Sequence, residues 1–251
     1  MTTAMTLATR VIARLDLKRS LGVVKGRALE GLRRVGAAAT LAVRYEAQGA
    51  DELLLLDITA SLYRQPLALD LLGALGPLLT TPVTVGGGVR TFEDFRAALR
   101  HAGEKVALCT QALRTPSLIT ACAHRFGSQA VVVEVQVRGD QAYYHAGREP
   151  SGRNAVEWAC EAVDRGAGEL LITSVERDGS RRGYDLAFLE KLAPRVSVPI
   201  VASGGAGCAR HCVEAIEAGA SAVAVGTLLH EGVTVGEIKE HMAKHGIEVR
   251  W

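Results

Sequence analysis

The chain has 251 residues, 48% of them hydrophobic and 22% charged, with a formal net charge of +2. That length and apolar content suffice for one large core, and single α/β barrels commonly run to about 250 residues. The near-balanced charge gives no reason to invoke nucleic acid or an anionic membrane, no apolar run is long enough to span a bilayer, and the N-terminus lacks the apolar region of a secretion signal, so a cytoplasmic protein is expected.

In chain order, short apolar runs with strand character alternate with amphipathic stretches. Residues 11–16 read as a strand, followed by a long polar loop through Lys18, Lys25 and Arg33. A helix is predicted over 40–48, a strand over 53–57, a helix over 67–79 and a strand over 83–85. Then come a helix over 92–101, a strand over 106–109 and a helix over 116–126. The second half continues with a strand over 131–137, a hairpin excursion over 140–146, a helix over 156–165 and a strand over 170–174. It ends with a helix over 186–193, a strand over 200–202, a helix over 209–218, a strand over 222–225, a short turn over 227–230 and a final helix over 235–245. Eight strand–helix units without a Pro-, Gly- or Ser-rich linker favour one closed (β/α)8 barrel, a TIM barrel spanning 1–251, over an open sheet. Function is then expected at the C-terminal ends of the strands, and stability at the N-terminal ends.

The organising stretch is Val198 to Gly207, an apolar run that ends in Gly204-Gly205. Such glycines let backbone approach an anion, and the following helix start offers free N–H groups to it. Pro82-Val83-Thr84-Val85-Gly86-Gly87-Gly88 matches Pro199 to Gly205 at an offset of 117 residues, and the same offset aligns 48–54 with 165–171. The chain therefore reads as a duplicated half, about 5–125 and 126–251, with one glycine cradle in each. Gly204, Gly205, Gly226 and Thr227 form one candidate phosphate site, and Gly87, Gly88 and Thr110 its mirror. Two such sites imply a substrate with a phosphate at each end; tight βα turns are the alternative reading of the glycines.

Other strand ends carry polar groups. Asp16 ends the first strand, with Arg14 and Lys18 two residues to either side and so on the same strand face. It is a candidate general acid or base, or else a carboxylate paired with Arg14 or Lys18. Asp57-Ile58-Thr59 ends the second strand, Thr173-Ser174 the sixth, and Glu176 to Ser180 includes Asp178 and the turn residue Gly179. At the opposite ends, Arg10, Glu52, Lys105 and Glu169 fall at four strand N-termini, where two cations and two anions would satisfy one another in a ring. The cysteines, 109, 122, 160, 208 and 212, form no CxxC pair, so neither a disulfide frame nor a zinc site is expected. The pairs Cys208/Cys212 and His241/His245 read as packing or surface, with no metal assigned.

Together these motifs carry a resemblance. Leu15-Asp16-Leu17-Lys18 with Val23-Val24-Lys25-Gly26, Leu56 to Ser61, Thr84 to Val89 and Phe126 to Val133 are its first half. Gly166 to Glu169, Thr173-Ser174, Arg177-Asp178-Gly179, Gly183-Tyr184-Asp185 and Ala202 to Gly207 complete it. Over nearly its whole length the chain resembles the cyclase subunit of imidazole glycerol phosphate synthase. The resemblance implies a glutaminase partner docked at the bottom of the barrel; the charged ring at that end points to a class I glutaminase near Glu104, Lys105 and Gln129, and no cofactor is expected. Ammonia would pass the ring Arg10, Glu52, Lys105 and Glu169, acting as a gate, to a bisphosphorylated aminoimidazole-carboxamide nucleotide at the top. The products would be imidazole glycerol phosphate and the purine precursor AICAR. It further implies phosphate binding at the two glycine cradles, with Asp178 and Gly179 included, and two aspartates as acid and base, with a loop lysine closing over substrate. The corresponding residues are Asp16, Gln136 and Lys25. Gln136 stands where the family has aspartate and cannot exchange a proton near neutral pH; Cys109 stands where it has asparagine. Arg14 to Lys18, Leu29 to Arg33, Ser61-Leu62-Tyr63 and Gly147 to Pro150 look more like divergent paralogues that deliver ammonia to nucleotide sugars or other phosphorylated substrates. That reading, and that of a catalytically silent phosphate-binding barrel, remain open beside the first.

Overall fold

A computed structural model describes residues 8–101 and 103–251. Strand β1 (Arg10–Lys18) runs into a hairpin, β2 (Gly22–Arg27) and β3 (Glu30–Gly36). Strands β4 (Glu52–Asp57), β5 (Val83–Gly86), β6 (Lys105–Leu108) and β7 (Val131–Arg138) follow. The antiparallel pair β8 (Gln141–Tyr144) and β9 (Glu149–Asn154) precedes β10 (Glu169–Ser174), β11 (Ile200–Ser203) and β12 (Ala222–Val225). The parallel order β1-β4-β5-β6-β7-β10-β11-β12 closes when β12 pairs with β1, Ala13 opposite Val225. Ten helices are described, α1 (Ala38–Ala47), α2 (Leu69–Leu75), α3 (Phe92–His101), α4 (Thr110–Arg114), α5 (Ser117–Phe126), α6 (Ala155–Asp164), α7 (Leu186–Leu192), α8 (Ala209–Glu217), α9 (Thr227–His230) and α10 (Val235–Lys244). The eight-stranded barrel expected from the sequence is the fold found. The first half of the predicted duplication begins at about residue 5, outside the described residues.

Strand periodicity sorts the apolar residues of the eight barrel strands between two cores. On β1, Val11, Ala13, Leu15 and Leu17 face the helices and join the large outer core with Ala42, Tyr45, Phe95, Trp158 and Ile238. Ile12 faces inward, where Leu54, Leu56, Ala107, Val132, Leu171, Val201, Ala222 and Ala224 fill the barrel as a smaller apolar core. Burial on both faces explains why the strands read as nearly unbroken apolar runs. The exceptions are the inward polar side chains, and these lie above and below that inner core.

Three expectations need correction. The polar segment after the first strand is the hairpin β2–β3, not a loop. Val23 and Val24 are fully buried and Leu17 pairs with Val23, while Arg27, Glu30, Arg33 and Arg34 face outward and disguise the strands. At the hairpin tip Ala28 and Leu29 take φ of 52° and 60°, unfavourable for side chains, held by the burial of Leu29 and by a 2.9 Å bond from Ala28 N to Asp178 O. The excursion after β7 is longer than expected and extends to Asn154. The helices predicted over 67–79 and 186–193 shorten to α2 and α7. Each gives way to a 3-10 turn carrying proline, Gly76–Leu78 and Ala193–Arg195, because proline has no N–H for the helical ladder.

Trp158 is the largest fully buried side chain of the outer core, with the Arg153 guanidinium 4.5 Å from its ring centroid. Trp158→Ala is expected to destabilise the fold by about 3–5 kcal/mol, read as a lowered urea midpoint at unchanged m. A midpoint equal to that of the unaltered chain would contradict this packing.

Candidate functional site

The C-terminal rim carries both glycine pairs. Gly87 and Gly88 follow β5 with φ of 92° and 80°, and Gly204 and Gly205 follow β11 with φ of 86° and 119°. A Cβ at Gly87 would meet Asp57 O at 2.2 Å, and one at Gly205 would meet Gly183 O at 2.1 Å. Both pairs are therefore required by conformation and by close backbone approach.

Between the pairs lies a chain of charges. The side chains of Arg14 and Asp16 are each only 2% exposed. Arg14 Nε donates to Asp16 Oδ1 at 2.7 Å, and Arg14 Nη1 donates to Ser203 Oγ at 2.7 Å and Thr173 Oγ1 at 3.0 Å. Lys25, reaching in from β2, donates to Asp16 Oδ2 at 2.8 Å and to Asp178 Oδ1 at 2.7 Å. Burial alone would favour a neutral Asp16; the charges of Arg14 and Lys25 and their hydrogen bonds outweigh it and hold the carboxyl well below the usual range. Burial likewise opposes the charge on Arg14, but Asp16, Glu134 and Asp178 keep it protonated. Arg14 Nη2 and Asp178 Oδ2 are buried without partners. Arg14, Lys25, Asp178, Ser203, Gly204, Gly205, Gly226 and Thr227 enclose a residual cavity of about 10 Å³.

The other cradle is open. Gly87, Gly88, Cys109, Thr110, Glu134, Gln136 and His145 line a cavity of about 550 Å³, with Arg64, Arg90 and Arg114 around it. Gln136 Oε1 accepts from Gly147 N at 2.8 Å, and Gln136 Nε2 donates to Glu134 Oε2 at 3.1 Å. Glu134 Oε1 accepts from Thr173 Oγ1 at 2.9 Å. Thr110 Oγ1 accepts from His145 N at 3.2 Å. Burial and the charge of Glu134 push the Cys109 thiol far up, so it stays neutral.

At the opposite end the four charged strand-start residues form the expected ring. Arg10 bridges Glu52 and Glu169, each at 2.7 Å, and Lys105 bridges the same carboxylates at 2.7 and 3.1 Å. Thr84 Oγ1 also donates to Glu52.

The structure thus gathers Asp16, Lys25, Asp178, Gly204, Gly205, Gly226 and Thr227 at one place, and Gly87, Gly88, Thr110 and Gln136 at another. It separates some residues expected together. Asp16 pairs with Arg14 and Lys25 and not with Lys18, which continues β1 and pairs with Gly22. Gly179 lies off the cradle; a Cβ there would meet Gly26 O at 2.2 Å, so it seats the hairpin. Asp57 caps its own turn through Thr59 and Ala60. Sequence reading missed His145, Arg114 and the pair Tyr45–His230. The left-handed φ of 53° at His145 belongs to the fold and leaves no trace in the local sequence.

His230 Nδ1 lies 2.7 Å from Tyr45 Oη beside the second cradle. Burial, then the Lys25 charge, lowers its pKa to about 4 from 6.5. The folded state therefore binds fewer protons than the unfolded between these values, and stability falls as pH drops from 6.5 towards 4. His230→Gln is expected to remove on the order of 1–2 kcal/mol of that fall, measured by urea unfolding at the two ends of the window. An identical pH dependence in the variant would contradict the assignment.

Residues 10–234 match the family described as histidine biosynthesis protein. The chain is 47% identical to imidazole glycerol phosphate synthase subunit HisF of Myxococcus xanthus (strain DK1622), over 97% of this chain and 98% of that one. It is 41% identical to the subunit of the same name from Pyrobaculum aerophilum, over 98% and 100%, and 40% identical to that of Pyrococcus furiosus, over 97% and 99%. Identity at this level over 97–98% of the chain shows that it belongs to the histidine biosynthesis protein family, among the HisF subunits of imidazole glycerol phosphate synthase.

Proposed function

We propose that this chain is the cyclase subunit that uses ammonia to convert a bisphosphorylated aminoimidazole-carboxamide nucleotide into imidazole glycerol phosphate and AICAR. The observation that carries the reading is the pair of glycine cradles on one rim with the buried Asp16–Lys25 bridge between them. Backbone N–H groups at Gly87-Gly88 and at Gly204-Gly205, with Gly226 and Thr227, suit the two phosphates, and Thr110 and Asp178 stand at the edges of these sites. Lys25 leaves Asp178 as substrate enters and brings its charge to the bound nucleotide. Asp16, freed from Lys25, then accepts or returns a proton, while Arg14 keeps its carboxylate fixed in direction.

The nitrogen source lies below. A glutaminase docked on the face with Glu104, Lys105 and Gln129 supplies neutral ammonia, which enters where Arg10, Glu52, Lys105 and Glu169 part. Confinement keeps it unprotonated and close to its target, an advantage of desolvation and proximity.

One observation favours a second reading. Gln136 at the rim has no proton to exchange, which suits a paralogue that delivers ammonia to a different phosphorylated or nucleotide-linked acceptor. The purified chain, given ammonium salt and the histidine-pathway nucleotide, is expected to release AICAR. Binding of the nucleotide without release would favour the paralogue.

Two variants sharpen the test. Asp16→Asn removes a proton-transfer group at constant shape, and kcat is expected to fall by roughly 100-fold or more with the fold retained. A kcat near that of the unaltered chain would remove Asp16 from the chemistry. Lys105→Ala opens the ring and is expected to lower glutamine-dependent turnover, or uncouple it from glutamine hydrolysis, with ammonium-dependent turnover near normal. Equal damage to both activities with a lowered Tm would make the ring a structural plug.

A further inference from the structure

Gln136 leaves the upper position of β7 without an acid, and the same strand supplies one a single inward step below. We propose that Glu134 is the second proton-transfer group of this site, with Gln136 as the amide that positions it; the proposal rests on the cyclase reading above. Inward positions on a strand are about 6–7 Å apart along its axis, and the open cavity reaches down to Glu134, which is among its lining residues beside Cys109 and Gln136.

The carboxylate is oriented by donors. Thr173 Oγ1 bonds one oxygen at 2.9 Å and Gln136 Nε2 the other at 3.1 Å. The direction of the Gln136 amide is fixed chemically, because Gly147 N can only donate and so takes the oxygen, turning the NH₂ group to Glu134. Gly147 belongs to the excursion between β8 and β9, which thereby positions the acid from above. Arg14 Nη1 is 3.9 Å from Glu134, near enough to balance its charge and too far for a hydrogen bond to occupy its lone pairs. Asp16, by contrast, has one oxygen on Arg14 and the other on Lys25. Of Asp16 and Glu134, Glu134 is the one in contact with the large cavity.

The step is a closed proton cycle. As the nitrogen nucleophile adds to the substrate carbon, Glu134 accepts one proton from it and becomes a carboxylic acid. It gives that proton to the departing group and returns to carboxylate, and no other bond to Glu134 forms or breaks.

The test is steady-state kinetics of the full chain with ammonium salt and the histidine-pathway nucleotide, with Tm recorded for each variant. Glu134→Gln keeps shape and the Thr173 bond; its kcat is expected to fall by about 100-fold or more, with KM changed by less than about threefold. Adding Gln136→Asp to that variant returns a carboxylate one step higher and is expected to recover kcat by at least about tenfold. A Glu134→Gln kcat within about threefold of the unaltered chain overturns the proposal, as does a folded double variant no faster than the single one. If Glu134→Gln does not fold, Glu134→Gln/Gln136→Asp is compared with Glu134→Gln/Gln136→Asn, which differs from it only in the carboxylate; equal rates overturn the proposal. An unaltered chain that releases no AICAR defeats the cyclase reading and this proposal together, whereas an active chain indifferent to Glu134 defeats the proposal alone.

Discussion

Arg14 is a full charge placed inside a barrel, and the upper half of the interior is arranged around it. Removing a guanidinium from water costs several kcal/mol even after relaxation, so every group within reach must answer it. Asp16 meets its Nε, Thr173 and Ser203 meet Nη1, and Glu134 stands behind them. These partners come from β1, β7, β10 and β11. The charge therefore ties together strands far apart in sequence, and its demand for partners fixes the side chains from which the site is built.

The same interior has a second charged layer. Arg10, Glu52, Lys105 and Glu169 close the bottom of the barrel, and Ile12, Leu54, Val132, Leu171 and Val201 separate the two layers. An apolar layer between two polar ones makes each network find its partners within its own layer, because neither can draw them from the other. It also suits a small neutral molecule better than an ion, since an ion would give up its hydration to cross it.

The two cradles are alike in backbone and unlike in state. Around Gly87-Gly88 the cavity measures about 550 Å³, while around Gly204-Gly205 about 10 Å³ remains. The difference is made by the β2–β3 hairpin, which lays Lys25 between Asp16 and Asp178 and seats Gly26 against Gly179. Lys25 thus holds its cation beside the second cradle, and a bound anion would compete with Asp178 for it. Strain at Ala28 and Leu29 fits a hairpin whose closed position is held by its contacts rather than by its own turn preference.

Much of this was legible in the chain itself. Nearly unbroken apolar runs and their alternation with helices marked out the eight units, and Gly87, Gly88, Gly204 and Gly205 marked the rim, since only glycine tolerates those dihedrals beside a neighbouring backbone. Arg10, Glu52, Lys105 and Glu169 could be read as a set because strand starts in a parallel barrel share one end. The hairpin was hidden because its outward charges mask two buried valines. What only the tertiary structure decided is pairing across strands: that Asp16 is held by Lys25 and not by Lys18, that Gly179 braces the hairpin, and that Gln136 turns to Glu134. Sequence spacing reports which face a side chain occupies. The choice among partners on that face depends on shear and on burial energetics, which bring together residues as far apart as Arg14 and Ser203 and which no local pattern encodes.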